Sequence, residues 1–220
     1  MIGKEIDLLI NYPKPKRDLE SRLEGKSEEV RKIARKFGKE FFDGKRDYGY
    51  GGFDYHPRFW EKVVPTFKDF YGLKKGMKIL DVGCAKGFMM YDFFRLIPGI
   101  EIKGIDISKY AIQKCLPEMR KKVEVANAKG LPFKDNSFDL VISINTIHNL
   151  NREDCAKALK EIERVSIKNS FITVDAFSNE IEKKQMYAWN LTAKTIMSTE
   201  DWKIFFEEAG YSGDFFWFKP

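Results

Sequence analysis

From residue 77 onward, short apolar runs alternate with segments of helical periodicity. The apolar runs are MKILDV, EIKGIDI, KVEVANA, FDLVISIN, FITVDAF and FFWF. The intervening segments predict helices over residues 87–97, 108–120, 152–165 and 199–209. This alternation is typical of βαβ units, in which helices cover both faces of a parallel sheet. The sequence therefore predicts an α/β fold with a doubly wound, mostly parallel sheet.

Residues 1–76 have a different character and are predicted to form a helical and loop-rich cap on a core domain of residues 77–220. Near the start, IDLLI has the composition of a short strand, and NYPKPK is a linker signal. The segment SEEVRKIARKFGKEFF predicts one helix with Ser27 as its N-cap. The following DGKRDYGYGGFDYHPRFW, rich in glycine and aromatic residues, predicts a shaped loop.

Composition argues against several kinds of site. The three cysteines, Cys84, Cys115 and Cys155, are too few and too widely spaced for a disulfide framework or a zinc site, and the chain has only two histidines. We therefore expect reduced thiols and no metal. The chain lacks a long apolar run and a secretion signal, which predicts a cytoplasmic protein without a membrane partner.

The net charge of +6 is unevenly distributed along the chain. Residues 1–75 contain 18 lysines and arginines against 13 acidic residues, whereas the remainder is nearly balanced. This imbalance suits an anionic ligand such as a phosphate, a sugar acid or a nucleic acid, and it equally suits a solvated helix face.

The stretch KILDVGCAKGF, residues 78–88, reads as a buried strand that enters a tight turn and then a helix. Its G-x-A-x-G pattern is formed by Gly83, Ala85 and Gly87, and glycine permits a close approach of the backbone to a ligand. Asp106 ends the next strand about twenty residues downstream, where a carboxylate accepts hydrogen bonds from ribose hydroxyls. Together these features predict a site for a nucleoside-containing cofactor.

Two cofactor classes compete for this turn. A nicotinamide dinucleotide would bring an anionic pyrophosphate, which favours G-x-G-x-x-G and disfavours a carboxylate nearby. S-adenosylmethionine instead brings an ammonium and a sulfonium group. Because Asp81 lies two residues before Gly83 and G-x-G-x-x-G is absent, the local charge favours S-adenosylmethionine.

The segments ILDVGCAKG, GIDIS, NAKGLPFKDNSFDLVIS and FITVDAF, in this order and spacing, resemble the motifs of class I S-adenosylmethionine-dependent methyltransferases over roughly residues 77–210. The resemblance implies a Rossmann-like sheet, S-adenosyl-L-methionine as cofactor and S-adenosyl-L-homocysteine as product. It also implies the following cofactor contacts: Asp81, Gly83, Cys84, Ala85, Gly87, Asp106, Ile107, Asn127, Ala128 and Asn145. In this assignment Asp81 lies at the methionine end, Asp106 bonds the ribose, and Ile107 packs on the adenine.

Two positions depart from the family pattern. The middle glycine is replaced by Ala85, which we expect to be tolerated if that residue keeps a negative φ. The acidic residue often found at position 127 is Asn127, whose side-chain carbonyl can still accept a hydrogen bond from the adenine amino group.

His148 is the candidate general base. It follows the strand FDLVISIN within NTIHNL, at the edge where open parallel sheets bind their ligands. An imidazole titrates near working pH and can take the proton of an oxygen or nitrogen acceptor. The alternative is that His148 caps or packs against the following helix.

Two segments carry candidate substrate contacts: Arg46, Tyr48, Tyr50, Phe53, Tyr55, His56 and Arg58 in the aromatic loop, and Trp189 and Asn190 in the late segment QMYAWNLTAKTIMSTEDW. The aromatic side chains could enclose an acceptor, and the arginines could bind an anionic group. For the aromatic loop, the alternative is a structural hairpin whose aromatic side chains cover the top of the sheet. For the late segment, the alternative is a simple helix packed on the sheet.

The carboxyl terminus leaves an open question about the sheet. Methyltransferases of this kind usually end with an antiparallel pair of strands, but GYSGDFFWFKP leaves room for one. One hypothesis is that the last strand is absent, and the other is that IDLLI occupies the edge.

The leading functional hypothesis is methyl transfer to an O or N atom of a small, anionic metabolite, a sugar, amino-sugar or nucleotide-sugar derivative of carbohydrate biosynthesis. An RNA methyltransferase is the first alternative, although SINT replaces the proline-rich motif that clasps a flipped base. A non-catalytic S-adenosylmethionine-binding protein is the second. The sequence leaves monomer and homodimer both open.

Overall fold

A computed structural model describes residues 2–14, 26–51 and 53–220 of the chain. Its strands are β1 Lys78–Val82, β2 Glu101–Asp106, β3 Val123–Val125, β4 Phe138–Ile144, β5 Ser166–Phe177, β6 Met197–Ser198 and β7 Asp214–Phe218. Its α-helices are α1 Glu28–Ala34, α2 Lys39–Asp43, α3 Val63–Tyr71, α4 Phe88–Leu96, α5 Lys109–Gln113, α6 Arg152–Val165, α7 Glu180–Trp189 and α8 Thr199–Ala209.

The strands form one parallel sheet. Its order is β3-β2-β1-β4-β5, and the outer edge of β5 pairs with β7 along Phe171–Asp175 and with β6 at Ala176 and Phe177. Every paired strand runs parallel to its neighbour. The strand order reverses between β1 and β4, and such a reversal opens a ligand crevice at the carboxyl ends of the strands. The predicted Rossmann-like architecture is confirmed.

Helices cover both faces of the sheet because the strand side chains alternate between two hydrophobic clusters. On one face, α6 and α8 pack against residues such as Leu80 and Val141. On the other face, α3 and α4 pack against residues such as Ile79 and Leu140. Buried apolar area of this kind, at about 25 cal/mol per Å², is the main source of stability for such a fold.

Helix starts follow the expected capping chemistry. The side chain of Ser27 accepts a hydrogen bond from Val30 N, as predicted, and the side chain of Ser198 accepts one from Asp201 N. A side-chain cap of this type contributes about 1 kcal/mol. Both α6 and α8 have the predicted bounds.

The single helix predicted over SEEVRKIARKFGKEFF is wrong, since the chain forms α1 and α2 with a break between them. Phe37 adopts a left-handed conformation with φ of 48°, and Gly38 is the N-cap of α2. Ser108 Oγ donates to the Phe37 carbonyl at 2.5 Å, so the break is held by a contact with the core domain. Local helical periodicity therefore yields to a long-range hydrogen bond.

The helix predicted over residues 108–120 is also shorter than expected. It consists of α5 and a separate 3-10 turn, Pro117–Met119. Proline lacks a backbone donor and disfavours helical geometry in the residue before it, which explains the interruption.

The N-terminal segment lies at the outer edge of the sheet without forming a strand. Glu5 makes a single parallel bridge with Phe215 of β7, in which Ile6 N donates to the Phe215 carbonyl at 2.9 Å. The strand prediction for IDLLI is therefore wrong, although its first residue contributes to this edge contact. Leu8 turns back and is buried against the face that carries α3.

The predicted cap of residues 1–76 does not pack as a single layer. Val63, Val64 and Phe67 of α3 are buried in the cluster on one face of the sheet. By contrast, α1, α2 and the 3-10 turns Arg46–Tyr48 and Pro57–Phe59 lie outside this core. Within the described ranges, no helix has both the length and the apolar character needed to cross a membrane.

Candidate active site

A cavity of about 1500 Å³ lies at the carboxyl end of the sheet. The residues that line it come from the glycine turn, the ends of β4 and β5, the N-terminal segment, the aromatic loop and the segment after α7. Several predicted site residues line it: Asp81, Gly83, Cys84, Ala85, Asn145, His148, Arg46, Tyr50, His56, Arg58 and Trp189. The other predicted residues do not line this cavity: Gly87, Asp106, Ile107, Asn127, Ala128, Tyr48, Phe53, Tyr55 and Asn190.

The glycine turn is fixed to β2. The amides of Gly83 and Cys84 both donate to the Ile105 carbonyl, at 2.8 and 2.9 Å. Gly83 has φ of 90°, and a Cβ at this position would lie 2.1 Å from Thr146 Oγ1. Only glycine satisfies both conditions, so the sequence forces the backbone itself to form the cavity wall here.

Ala85 does not keep the negative φ that was expected. Its φ is 48°, in the left-handed region that disfavours a side chain with a Cβ. The amide of Ala85 donates to Asp106 Oδ2 at 2.9 Å, which holds the turn in this conformation. The glycine of the family pattern thus corresponds to a real conformational demand that alanine meets with strain.

Two carboxylates lie at the carboxyl ends of β1 and β2. Asp81 is 3% exposed, and its carboxylate accepts no hydrogen bond from any residue in the described ranges. Burial, with a smaller effect of Asp106, raises the pKa of Asp81 to about 8. Asp106 Oδ1 accepts from Ser108 N at 2.8 Å, and burial raises its pKa against the opposing effect of these amide bonds.

This arrangement fits the charge of S-adenosylmethionine. A buried carboxylate without a partner is costly and is complemented by a cation. Asp81 therefore suits an ammonium or sulfonium group, whereas it would repel a pyrophosphate. The neighbouring Cys84 thiol is neutral, since burial and Asp81 raise its pKa well above the ordinary value.

The predicted adenine contacts, Ile107, Asn127 and Ala128, lie outside the lining of this cavity. Ile107, which directly follows Asp106, is 53% exposed and offers an apolar surface to solvent. Asn127 Oδ1 already accepts from Lys129 N at 3.2 Å, so a second lone pair remains for a ligand. Ala128 is buried against the core. Asn145, at the end of β4, has φ of 50° and accepts a hydrogen bond from Thr173 Oγ1.

His148 is buried and lies against Asp175, at the end of β5. Its Nδ1 accepts a hydrogen bond from the Asp175 amide at 3.0 Å, so the proton of the neutral imidazole is on Nε2. Burial lowers the pKa of His148, against the opposing effect of Asp175. Neither nitrogen of this imidazole is free to take a proton, so the geometry does not support the general-base prediction for His148.

The aromatic loop reaches the segment after α7. The rings of Tyr50 and Trp189 stack at 5.6 Å between centroids, and Leu191 N donates to Tyr50 Oη at 2.9 Å. Burial and, less strongly, Asp175 raise the pKa of Tyr50 to about 12. Tyr50, Trp189 and Leu191 all line the cavity, so these contacts form an aromatic wall of it.

Several candidate substrate residues have structural roles instead. Tyr55 Oη donates to Asp92 Oδ1 at 2.7 Å, and its ring packs edge-on against Tyr91. The Asn190 side chain closes a turn by bonding both backbone groups of Ala193. The polar atoms of Tyr55 and Asn190 are engaged in these bonds, which does not favour the substrate-contact prediction for either residue.

Of the remaining candidates in the aromatic loop, some make contacts within the cap and others line the cavity. The Phe53 carbonyl accepts from Lys86 Nζ at 2.7 Å, so Phe53 ties the loop to the glycine turn through its backbone. His56 Nδ1 accepts from Arg58 N and caps a 3-10 turn. Tyr48 ends the other 3-10 turn. Arg46 lies over Gly51, where a Cβ would approach its Nη1 to 1.7 Å.

The comparison with protein families bears directly on this site. The model of a methyltransferase domain family matches residues 73–210, which is more than half of the chain. The chain belongs to this methyltransferase family. The resemblance to class I S-adenosylmethionine-dependent methyltransferases is thereby confirmed.

Curated relatives of this chain carry different names. It is 32% identical over 146 residues to the tRNA (carboxymethyluridine(34)-5-O)-methyltransferase of Arabidopsis thaliana, covering 65% of this chain and 33% of that protein. It is 36% identical over 118 residues to the demethylmenaquinone methyltransferase of Staphylococcus aureus, covering 51% of this chain and 46% of that protein. The chain thus spans a third to a half of the length of these relatives.

Solved structures confirm the fold of this methyltransferase. YcgJ of Bacillus subtilis superposes with a TM-score of 0.55 at 17% identity, covering 66% of each chain. The [4+2]-cyclase SpnF superposes with a TM-score of 0.57 at 20% identity, covering 73% of this chain and 60% of the other. Since one of these neighbours is named a cyclase, the fold does not by itself define the reaction.

Sequence reasoning missed three charged residues of this methyltransferase. Asp175, inside the quoted FITVDAF, is buried and lines the cavity. Lys26 Nζ donates to the Ala188 and Trp189 carbonyls beside it. Lys86, inside the glycine turn, is buried and donates to Asp43 of α2. In the sequence, only Asp175 gives a signal of its role, as a carboxylate near the end of a central strand.

Proposed function

We propose that this protein transfers a methyl group from S-adenosylmethionine to an O or N atom of a small acceptor. The observation that carries the proposal is the buried Asp81 carboxylate beside the Gly83 turn, which accepts no hydrogen bond from the residues that the structure describes, in a chain of the methyltransferase family. When bound, the cofactor supplies a methyl group activated by a positively charged sulfur, with S-adenosylhomocysteine as the product.

The chain's own residues bind and orient the two reactants. In this proposal Asp81 binds the cationic methionine end, Asp106 the ribose hydroxyls, and Ile107 the adenine face. Gly83 lets the cofactor approach the backbone. Orientation and exclusion of water supply most of the catalysis in such a transfer, because the displacement needs an aligned acceptor and little else.

The cap helps to exclude water. Lys86 of the glycine turn bonds Asp43 and the Phe53 carbonyl, while Tyr110 Oη donates to Asp43 Oδ2 at 2.8 Å. These contacts tie α2 to the cofactor turn and to α5, and they tie the aromatic loop to the cofactor turn. We infer that the cofactor lies beneath the cap during the reaction.

The cavity has room for a second molecule. Ligand pockets commonly occupy about 300–1,000 Å³, and this one measures about 1500 Å³. Arg46 and Arg58 lie on its wall, and neither guanidinium forms an ion pair among the described residues. An arginine binds carboxylates and phosphates with two parallel hydrogen bonds. We therefore propose an anionic metabolite of the cytoplasm, of the sugar, amino-sugar or nucleotide-sugar class, as the acceptor.

A tRNA nucleoside is the second candidate acceptor. The Arabidopsis relative is named for such a substrate, and most of the excess positive charge lies in residues 1–75. Nucleic-acid binding would weaken steeply with salt, because counterions are released from the phosphates.

The test begins with calorimetric titration of S-adenosylmethionine and, separately, NAD. We expect S-adenosylmethionine alone to bind, Asp106→Ala to weaken it at least tenfold, and the matched surface variant Gly130→Ala to bind normally. Transfer of radiolabelled methyl is then measured with nucleotide sugars, sugar phosphates and tRNA. Failure of S-adenosylmethionine to bind would refute the proposal, and binding without transfer to any acceptor class would favour a non-catalytic binding protein.

A further inference from the structure

Asp175 is a buried carboxylate that has no hydrogen-bond partner in the described part of the chain. Its side chain lines the cavity, and the residue is 4% exposed. His148 Nε2 lies 3.6 Å from Asp175 Oδ1, which is beyond hydrogen-bond distance. An isolated buried carboxylate costs several kcal/mol, so it indicates a ligand that donates a hydrogen bond.

The backbone of Asp175 is held on both sides. Its amide donates to His148 Nδ1 at 3.0 Å, and its carbonyl accepts from Trp202 Nε1 at 2.9 Å. Both bonds are buried, and Asp175 also pairs with Phe218 of β7. The carboxylate is therefore aimed into the cavity by a rigid strand end, which is the kind of support that a reacting group requires.

Asp175 is too far along the sheet to share the cofactor cation with Asp81. The register pairs Asp81 with Ile142 and Ile144 with Thr173, so Asp175 lies four residues beyond the level of Asp81. This corresponds to roughly 13 Å along the strands, in addition to two strand spacings of roughly 5 Å each. The two carboxylates thus line separate parts of one cavity.

We propose that Asp175 is the catalytic group that takes the proton of the acceptor's hydroxyl or amine, with His148 as its positioning residue. This inference rests on the proposed methyl transfer. The acceptor's lone pair forms the new bond to the methyl carbon, the electrons of the broken carbon–sulfur bond remain on sulfur, and the acceptor's proton moves to the Asp175 carboxylate. The neutral acid then releases this proton to solvent.

The charged and titratable groups around Asp175 support this role. Burial raises the pKa of Asp175, while His148 and Lys26 oppose the shift. Tyr50 faces it from the aromatic wall and stays protonated, since its own pKa is raised to about 12. His148 cannot replace Asp175, because its Nδ1 is occupied by the Asp175 amide and its Nε2 carries the proton.

The first arm of the test needs no acceptor. The intact protein is labelled with carboxyl-13C aspartate, and Asp175→Asn identifies the resonance of Asp175 in a pH titration. We expect its midpoint above the ordinary value of about 4. A midpoint at or below that value overturns the proposal, whether or not an acceptor is known.

The second arm uses the acceptor that the transfer assay identifies. Asp175→Asn should lower kcat at least a hundredfold, leave the S-adenosylmethionine affinity within about twofold, and melt no lower than the parent. Asp175→Ala should recover activity with added formate, which a purely structural role would not produce. The exposed Asp69→Asn is the matched control with parental activity.

The outcomes separate this inference from the proposed function. A variant Asp175→Asn that keeps its kcat and its pH profile, in a protein that binds cofactor and transfers methyl, overturns the role of Asp175 alone. Loss of S-adenosylmethionine binding by the parent protein would overturn the proposed function instead. His148→Asn alone should make kcat depend more strongly on pH. In the double variant with Asp175→Ala, added formate should still restore activity. If formate no longer restores activity in the double variant, the proton transfer belongs to His148.

Discussion

Asp81→Asn offers a quantitative test of the charge at the cofactor turn. In the folded protein the pKa of Asp81 is raised from 3.8 to about 8 by burial and by Asp106. The folded state therefore holds this proton more tightly than the unfolded state, so stability is full below the unfolded pKa and is lost as pH rises towards the folded pKa. Four pKa units correspond to at most about 6 kcal/mol.

The expected result follows from this sign. Asparagine does not ionise, so the free variant should become more stable than the parent as pH rises, with the difference in unfolding free energy growing by about 1.4 kcal/mol per pH unit between pH 5 and 8. Urea unfolding at each pH measures this difference in unfolding free energy. The exposed Asp69→Asn should show no such trend. A pH-independent difference for Asp81→Asn would refute the reasoning that Asp81 is buried without a partner.

The same substitution has the opposite effect on ligand binding. A cation is bound by the ionised carboxylate, so the parent's affinity for S-adenosylmethionine should rise up to tenfold per pH unit from pH 6 to 8. Asp81→Asn should bind far more weakly and with little pH dependence. Calorimetry at three pH values measures both quantities, and equal affinities for the parent at pH 6 and 8 would contradict the assignment.

Three further substitutions test the turn and its cap. Ala85→Gly should relieve left-handed strain and raise the melting temperature by about 1–3 °C, whereas a decrease would mean that the strain is absent. Gly83→Ala should cost about 2–3 kcal/mol in urea unfolding, because its Cβ would meet Thr146, while Gly130→Ala, with no atom within 4 Å of its Cβ, should cost less than about 1 kcal/mol. Lys86→Met removes the contacts that tie the cap to the turn and should speed S-adenosylmethionine dissociation roughly tenfold in stopped-flow fluorescence; an unchanged rate would separate the cap from cofactor exchange.

Elements with strong periodicity were predictable at the level of single residues. The bounds of α6 and α8 were predicted correctly, as was the strand nature of the run that forms β4. Helical periodicity failed over α1 and α2, where the Phe37 carbonyl bonds Ser108 more than seventy positions away. Such a contact leaves no trace in a local pattern, so the break could not be read from the sequence.

In the candidate site, too, some residues could be predicted from the sequence and others could not. Asp81, Gly83 and Ala85 were predicted from their place in a strand-to-helix turn, and all three line the cavity. By contrast, Tyr55 and Asn190 looked suited to a ligand, yet their polar atoms are used by Asp92 and Ala193. Whether a polar side chain is available to a ligand depends on partners that are distant in sequence.

The sequence by itself determined the doubly wound sheet, the glycine turn and the family of this protein, because periodicity and turn chemistry act over a few residues. Only the tertiary structure decided the left-handed conformation of Ala85 and the tautomer of His148. It also decided that the Asp175 carboxylate, at the cavity wall, accepts no hydrogen bond from any of the described residues. These properties depend on burial and on hydrogen bonds between segments far apart in the chain, and folding alone brings those segments together.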